Sequence, residues 1–242
     1  MSIAEKLKTI AENEQKVYEA GKQAGQNEIW DYATNYGEKT DYSGVFSSWG
    51  MEYFHPNRKI IPTSANSGSS TFNGCKKLKK IEATYFDFSQ KERGTSNQQG
   101  YYFTFYNCSV LEEIEDIGMQ ADYGYYTTFG GCPKLHTIAK IRADEQTIFS
   151  NTFAYAYALT NVEFEGVIGK AISLQHSTKL SKASITSLIN TLSTTTSGMS
   201  VTFSKTAVNK AFETSQGAKD GADSDEWKTL IATKSNWTIS LS

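Results

Sequence analysis

TFNGCKKLKKI, Thr71 to Ile81, is followed by TFYNCSVLEEI at Thr104 to Ile114 and by TFGGCPKLHTI at Thr128 to Ile138. In each stretch Cys follows Phe by three residues and precedes Leu by three, so Cys75, Cys108 and Cys132, all the cysteines of the chain, share one template position. A fourth copy, TFAYAYALTNV, places Phe153, Ala156, Leu159 and Val162 at the same four places, and its alanine keeps the cysteine position small and apolar. The template phenylalanines at 72, 105, 129 and 153 are separated by 33, 24 and 24 residues, so the first interval carries an insertion of nine. Units of this length bury their apolar face only against neighbouring units, each contributing a short strand. The Leu-x-x-Ile end of the template is where that strand is expected.

On these residues the chain resembles the BspA-like leucine-rich repeats, whose units read close to AFxxCxxLxxIxL. The match covers Thr71 to Val167; it departs by lacking the usual Ile-Pro after the strand and by its variable period. The resemblance implies a right-handed leucine-rich-repeat solenoid with parallel strands; with an N-terminal helix and a C-terminal α/β cap read from the flanking residues, the expected fold class is an α/β repeat. The expected divisions are an amphipathic helix over 1–28, an N-terminal cap or degenerate repeat over 29–70, the repeats over 71–180 and the C-terminal cap over 181–242. Within the last, Ser181 reads as the N-cap of a helix with Ile185, Leu188, Ile189 and Leu192 on one face. Val201 to Ser204 reads as a strand, Ser204 opens a second helix, DEWKTLIATK is a third, and Trp237, Ile239 and Leu241 alternate as a final strand.

Residues 3–24 place Ile3, Leu7, Ile10, Val17, Ala20 and Ala24 on a narrow stripe. That stripe suits either a helix docked on its own domain or a short bundle joining copies of the chain. The runs ENEQKVYEAG, Glu12 to Gly21, and DYSGVFSSWG, Asp41 to Gly50, resemble proteins encoded by phages and prophages of Gram-positive gut bacteria. The resemblance implies a virion or phage-tail-like particle, with attachment through residues 1–28. The run MSIAEKLKTIAENEQKVY lacks the apolar h-region of a secretory signal, so synthesis in the bacterial cytoplasm without a signal peptide is expected, and the resemblance implies release by lysis.

A net charge of −2 offers no concentrated basic field for nucleic acid or anionic lipid, and no stretch approaches the roughly 20 apolar residues of a membrane span. Three cysteines cannot all pair; reduced, buried thiols are expected, with a three-cysteine zinc site as the alternative although no CxxC pair is present. No phosphate loop, nucleophile elbow, HExxH or GxGxxG fingerprint appears, and His55, His136 and His176 have no motif partner. The expectation is therefore no enzyme, no cofactor and no metal. Asp220 to Glu226 admits a calcium reading, against which Ser224 or Asp225 reads as a helix N-cap. Glu82, Glu115 and Glu163 each follow the repeat Ile or Val and are expected to form a mildly repulsive acidic ladder, solvated or facing a cationic ligand.

Aromatic residues make up 13% of the chain, and several lie outside the template: Tyr85, Phe86, Tyr101, Tyr102, Tyr123, Tyr125 and Tyr126. Tyr beside small polar residues offers rigid contact area and a hydroxyl at little entropic cost, so these seven are the candidate ligand-binding residues. The alternative is that they complete the core. The sequence points to a non-enzymatic adhesion or receptor-binding component recognising a bacterial surface glycan or protein. The alternative is a structural virion or cell-surface repeat protein, and a third class is an enzyme of cell-wall polymers without a sequence signature.

Overall fold

Tyrosine, phenylalanine and threonine at fixed distances from one another order the chain. The computed structural model describes residues 41–50, 52–54, 59–96, 98–214 and 221–242; the helix expected over 1–28 lies outside the described residues. The repeat phenylalanines form one buried column, which begins earlier than the quoted copies, at Phe46. Rings 46 to 72, 72 to 105, 105 to 129 and 129 to 153 stack at 5.2, 5.5, 5.9 and 5.8 Å. The cysteine column, Cys75, Cys108, Cys132 and Ala156, is equally buried, as are the Leu column and the Ile81, Ile114, Ile138 and Val162 column.

What holds the columns in register is the dipeptide Thr-Phe. The Phe46 N–H donates to Thr71 O at 3.0 Å, Phe72 to Thr104 at 2.8 Å, Phe105 to Thr128 at 3.0 Å and Phe129 to Thr152 at 3.0 Å. The threonine hydroxyls are buried too, and three return to the preceding copy: Thr104 donates to Gly68 O at 2.6 Å, Thr128 to Tyr101 O at 2.6 Å and Thr152 to Tyr125 O at 2.5 Å, while Thr71 donates to Ser67 O of its own copy. The Phe N–H groups and these three hydroxyls thereby find partners one copy away, and the N–H groups of Thr104 and Thr128 donate within their own copy to Tyr101 O and Tyr125 O, so burial strands none of them.

The chain turns at two fixed places in each copy. Residues two before the repeat Phe (Gly44, Ser70, Phe103, Thr127, Asn151) and two after it (Ser48, Gly74, Asn107, Gly131, Tyr155) all have positive φ, between 52° and 73°. These two columns contain every non-glycine residue of positive φ among the described residues. Left-handed backbone costs a residue with a Cβ roughly 1–2 kcal/mol, so hydrogen bonds from copy to copy must impose it on Phe103, Thr127 and Tyr155.

The fold is α/β with two parallel sheets. The first takes the order β1 (Lys80–Ile81), β2 (Glu113–Ile114), β3 (Thr137–Ala143), β4 (Asn161–Gly166), with Ile81, Ile114, Ile138 and Val162 aligned as neighbours. The second takes the order β5 (Ile172–Leu174), β6 (Met199–Phe203), β7 (Trp237–Leu241), and neither sheet closes on itself. Among the described residues three α-helices accompany them: α1 (Lys182–Thr191), α2 (Lys205–Ala211) and α3 (Asp225–Ala232). Ser181 and Ser224 cap α1 and α3 by accepting from the N–H groups of Ser184 and Trp227, so the Asp220 to Glu226 stretch yields a helix cap at Ser224. Strand β5 has no counterpart in the sequence reading.

Helix α1 lies along the free side of β4. Ser184 Oγ accepts the Val162 N–H at 2.9 Å and donates to Thr160 O at 3.1 Å. Three residues on, Ser187 Oγ accepts the Phe164 N–H at 2.9 Å and donates to Phe164 O at 3.2 Å. Two hydroxyls one helical turn apart thus satisfy backbone groups that a further strand would otherwise take.

The acidic ladder expected at Glu82, Glu115 and Glu163 is corrected by its neighbours. Lys80 lies 2.6 Å from Glu115 and 3.6 Å from Glu113, and Lys140 lies 3.5 Å from Glu163 and 2.9 Å from Glu165. Lysines interleave with the carboxylates, so attraction replaces the anticipated repulsion.

Candidate functional site

The distance of a side chain from the repeat Phe decides which way it faces. Four residues before it stand Tyr42, Tyr101, Tyr125 and Phe149, all buried. Tyr101 and Tyr125 stack at 4.9 Å, and Tyr125 and Phe149 at 5.5 Å. Their hydroxyls are used internally: Tyr101 Oη accepts the Gln120 N–H at 2.9 Å and Tyr125 Oη donates to Arg142 O at 2.9 Å. Burial raises both phenols above their ordinary range. Phe86 is buried as well, 5.3 Å from the Phe72 ring and 4.8 Å from Phe88. Tyr101, Tyr125 and Phe86 are therefore core residues and are withdrawn from the expected binding surface; the packed interior has taken their rings.

One residue further along, three before the repeat Phe, the column runs Ser43, Ser69, Tyr102, Tyr126 and none of these is buried. Its backbone is regular: the carbonyls of Ser69, Tyr102 and Tyr126 accept from Gly44, Ser70 and Phe103 at 2.9, 2.7 and 3.0 Å. Tyr102 and Tyr126 stack at 5.2 Å with their planes 15° apart. Phe103 joins them, its ring centre 4.2 Å from Tyr102 and 4.8 Å from Tyr106. A row of four half-exposed rings results, ordered before any ligand arrives. Tyr85 and Tyr123 are half-buried and lie outside it.

Beside Tyr102 the face opens into a cavity of about 320 Å³ lined by Asp41, Ser43, Asn66, Ser69, Gln98 and Tyr102. Three of the six belong to the column just described, so the cavity crosses consecutive copies. Gln98 comes from the nine-residue insertion, and a buried ion pair fixes that insertion. Lys91 Nζ lies 2.5 Å from Asp122 Oδ2, with both side chains almost wholly buried, and donates to Glu92 O at 2.9 Å. Asp122 Oδ1 also accepts the N–H groups of Gly94 and Tyr123, each at 2.6 Å. The Lys91 ammonium sits 5.3 Å over the Tyr101 ring; burial lowers its pKa, while Asp122 pulls it upward. Close approach matters at Gly68, where a Cβ would fall 2.1 Å from Gly100 O at the end of the insertion.

Sequence reasoning missed Phe103, Tyr106 and the polar half of the cavity. It also missed a second aromatic group, in which Tyr155 and His176 stack at 5.0 Å with Tyr157 beside them at 5.9 Å from His176. The signal available was position relative to the repeat Phe. Among the described residues no group of His, Cys, Asp and Glu is arranged to hold a metal ion, and no helix is long and apolar enough to cross a membrane. His136 is exposed, with Nδ1 3.0 Å from its neighbour Thr137 Oγ1. Comparison of the chain with protein-family models, with curated proteins and with solved structures found no match.

Proposed function

We infer that the chain is a non-catalytic binding protein: a leucine-rich-repeat solenoid of the BspA-like kind, carried on a phage or prophage tail-like particle, that attaches to a glycan or protein of the bacterial surface. The observation carrying this reading is the row Tyr102, Phe103, Tyr106 and Tyr126, half-exposed and mutually stacked beside a polar cavity. Rings held by one another lose little entropy on binding, and their faces and hydroxyls serve both apolar and polar contacts. Aligned strands, stacked Phe rings and two turning points per copy support the solenoid. The burial of Phe86, Tyr101 and Tyr125 favours the structural alternative for those three rings alone.

Display of the full chain on beads gives each particle many weak contacts, which raises the effective concentration of every later one. Binding of such beads to Gram-positive cells is expected to fall at least tenfold in the double variant Tyr102→Ala, Tyr126→Ala, with the melting temperature of each protein measured alongside. A folded double variant that binds cells as well as the parent removes the tyrosine row from the function.

A further inference from the structure

We propose that the cavity at Tyr102 binds an uncharged saccharide unit, its ring face against Tyr102 and its hydroxyls on Ser43, Asn66, Ser69, Gln98 and Asp41. The proposal rests on the binding role inferred above and adds the ligand class.

Three observations carry it. Five of the six lining side chains are hydroxyl, amide or carboxylate groups and the sixth is the phenol ring, a composition that pairs many short hydrogen bonds with one flat apolar surface. Pyranose rings are built the same way, with hydroxyls around the rim and C–H groups on the faces. A peptide strand instead needs an apolar groove or a free sheet edge, and the lining offers neither.

Charge makes the choice within saccharides. Asp41 is the one ionisable lining residue besides the Tyr102 phenol, and no lining residue is basic. Asp41 Oδ1 accepts the Ser43 N–H at 2.8 Å, which holds the carboxylate at the rim. The nearby buried cation, Lys91, is paired with Asp122 and feels Asp41 only through the weaker field of that carboxylate. A phosphate or uronate placed beside Asp41 would meet like-charge repulsion, stronger where water is partly excluded. Neutral hydroxyls can instead donate to that carboxylate.

Tyr102 is also a prepared surface. Tyr126 backs its ring at 5.2 Å and Phe103 flanks it at 4.2 Å, so the ring is positioned without ligand. The insertion that carries Gln98 is fixed by the Lys91–Asp122 pair and by Arg93, which contacts Asp144. The insertion thereby contributes Gln98 to the cavity lining.

The test uses the full chain on surfaces coated with neutral glucan, galactan, mannan or poly-N-acetylglucosamine, compared with poly(glycerol phosphate) and polygalacturonate. At least one neutral polymer is expected to retain the protein more strongly than either anionic one. Tyr102→Ala is expected to weaken that retention tenfold or more, whereas Tyr102→Phe keeps it within about threefold because the ring face remains. Should Tyr102→Ala melt early, Gln98→Ala, at an exposed position, is expected to weaken retention severalfold with an unchanged melting temperature. Preference for the anionic polymers overturns the saccharide assignment and leaves the binding role standing. Cell binding abolished by protease treatment of the cells, with no polymer retained, does the same in favour of a protein receptor. Failure to bind cells and polymers alike overturns both.

Discussion

Cys132 shows why one small residue recurs at the template position. Its thiol is buried and donates to Phe105 O at 2.9 Å, and Cys108 and Cys75 donate likewise to Phe72 and Phe46 at 3.0 and 2.9 Å. The sulfur is both core packing and a weak rung between copies. Burial pushes the Cys132 thiol up to about 12, so little thiolate exists in the folded protein at neutral pH. Ellman titration at pH 8 is expected to find Cys132 unreactive until denaturant is added; prompt reaction in the native protein would disprove its burial. Since an acceptor carbonyl awaits the side-chain proton, Cys108→Ser is expected to cost no more than about 1 kcal/mol. The left-handed columns give a second residue-level expectation. Thr127 is β-branched at φ 52°, so Thr127→Asn is expected to raise the unfolding free energy by up to about 1 kcal/mol. Gly131→Ala is expected to lower it by about 2 kcal/mol or more, because at φ 71° its Cβ would lie 2.3 Å from Asn107 Oδ1. Urea unfolding of both variants checks the signs.

Helix α1 and strand β4 carry the argument at the next level. Ser184→Ala with Ser187→Ala would strand the N–H groups of Val162 and Phe164 beside an apolar helix face, at about 1–3 kcal/mol each. A loss of 2 kcal/mol or more by urea unfolding is expected, and a loss under 0.5 kcal/mol would show that water replaces the hydroxyls. The sequence made α1 itself legible through Ser181 and the Ile185, Leu188, Ile189, Leu192 face. It hid the role of Ser184 and Ser187, because serine on an apolar side reads as a break in the pattern until a strand edge lies beside it. Strands β1 to β4 were readable from β-branched Ile and Val at one template position. Strand β5 was not, being three residues long, too short for its alternation to be read, and defined by its register with β6. Of the seven aromatic candidates, Tyr102 and Tyr126 reach the surface together and Phe86, Tyr101 and Tyr125 are core. Neither strand nor helix periodicity separates adjacent residues at a left-handed corner, so the division required the Phe columns in three dimensions.

The molecule as a whole gathers its buried acids in one interior. Cys108, Cys132, Tyr101 and Tyr125 are all held protonated by burial, with pKa values raised above their ordinary 9.0 or 10.0. Unfolded, each releases its proton from its ordinary pKa upward; folded, each keeps it. The stability these four groups contribute is therefore fully present below pH 9 and falls above it, by about 1.4 kcal/mol per pH unit for each group past its unfolded pKa, while Cys75 and Lys91, whose pKa values are lowered, act in the opposite direction. Melting temperature is expected to be level from pH 7 to 8.5 and to drop steeply between 9 and 11; a level curve to pH 11 would contradict the buried column. The one-way bonds from Phe to the Thr of the following copy have a mechanical consequence. Each copy hangs on the next by its own short set of rungs, so a load pulling on the end of the stack strains one set at a time. Under such tension the protein would pay out in successive lengths of about 24 residues, roughly 80 Å of extended chain per release. A load applied to the stack would then be absorbed by yielding one copy while the remainder stayed folded.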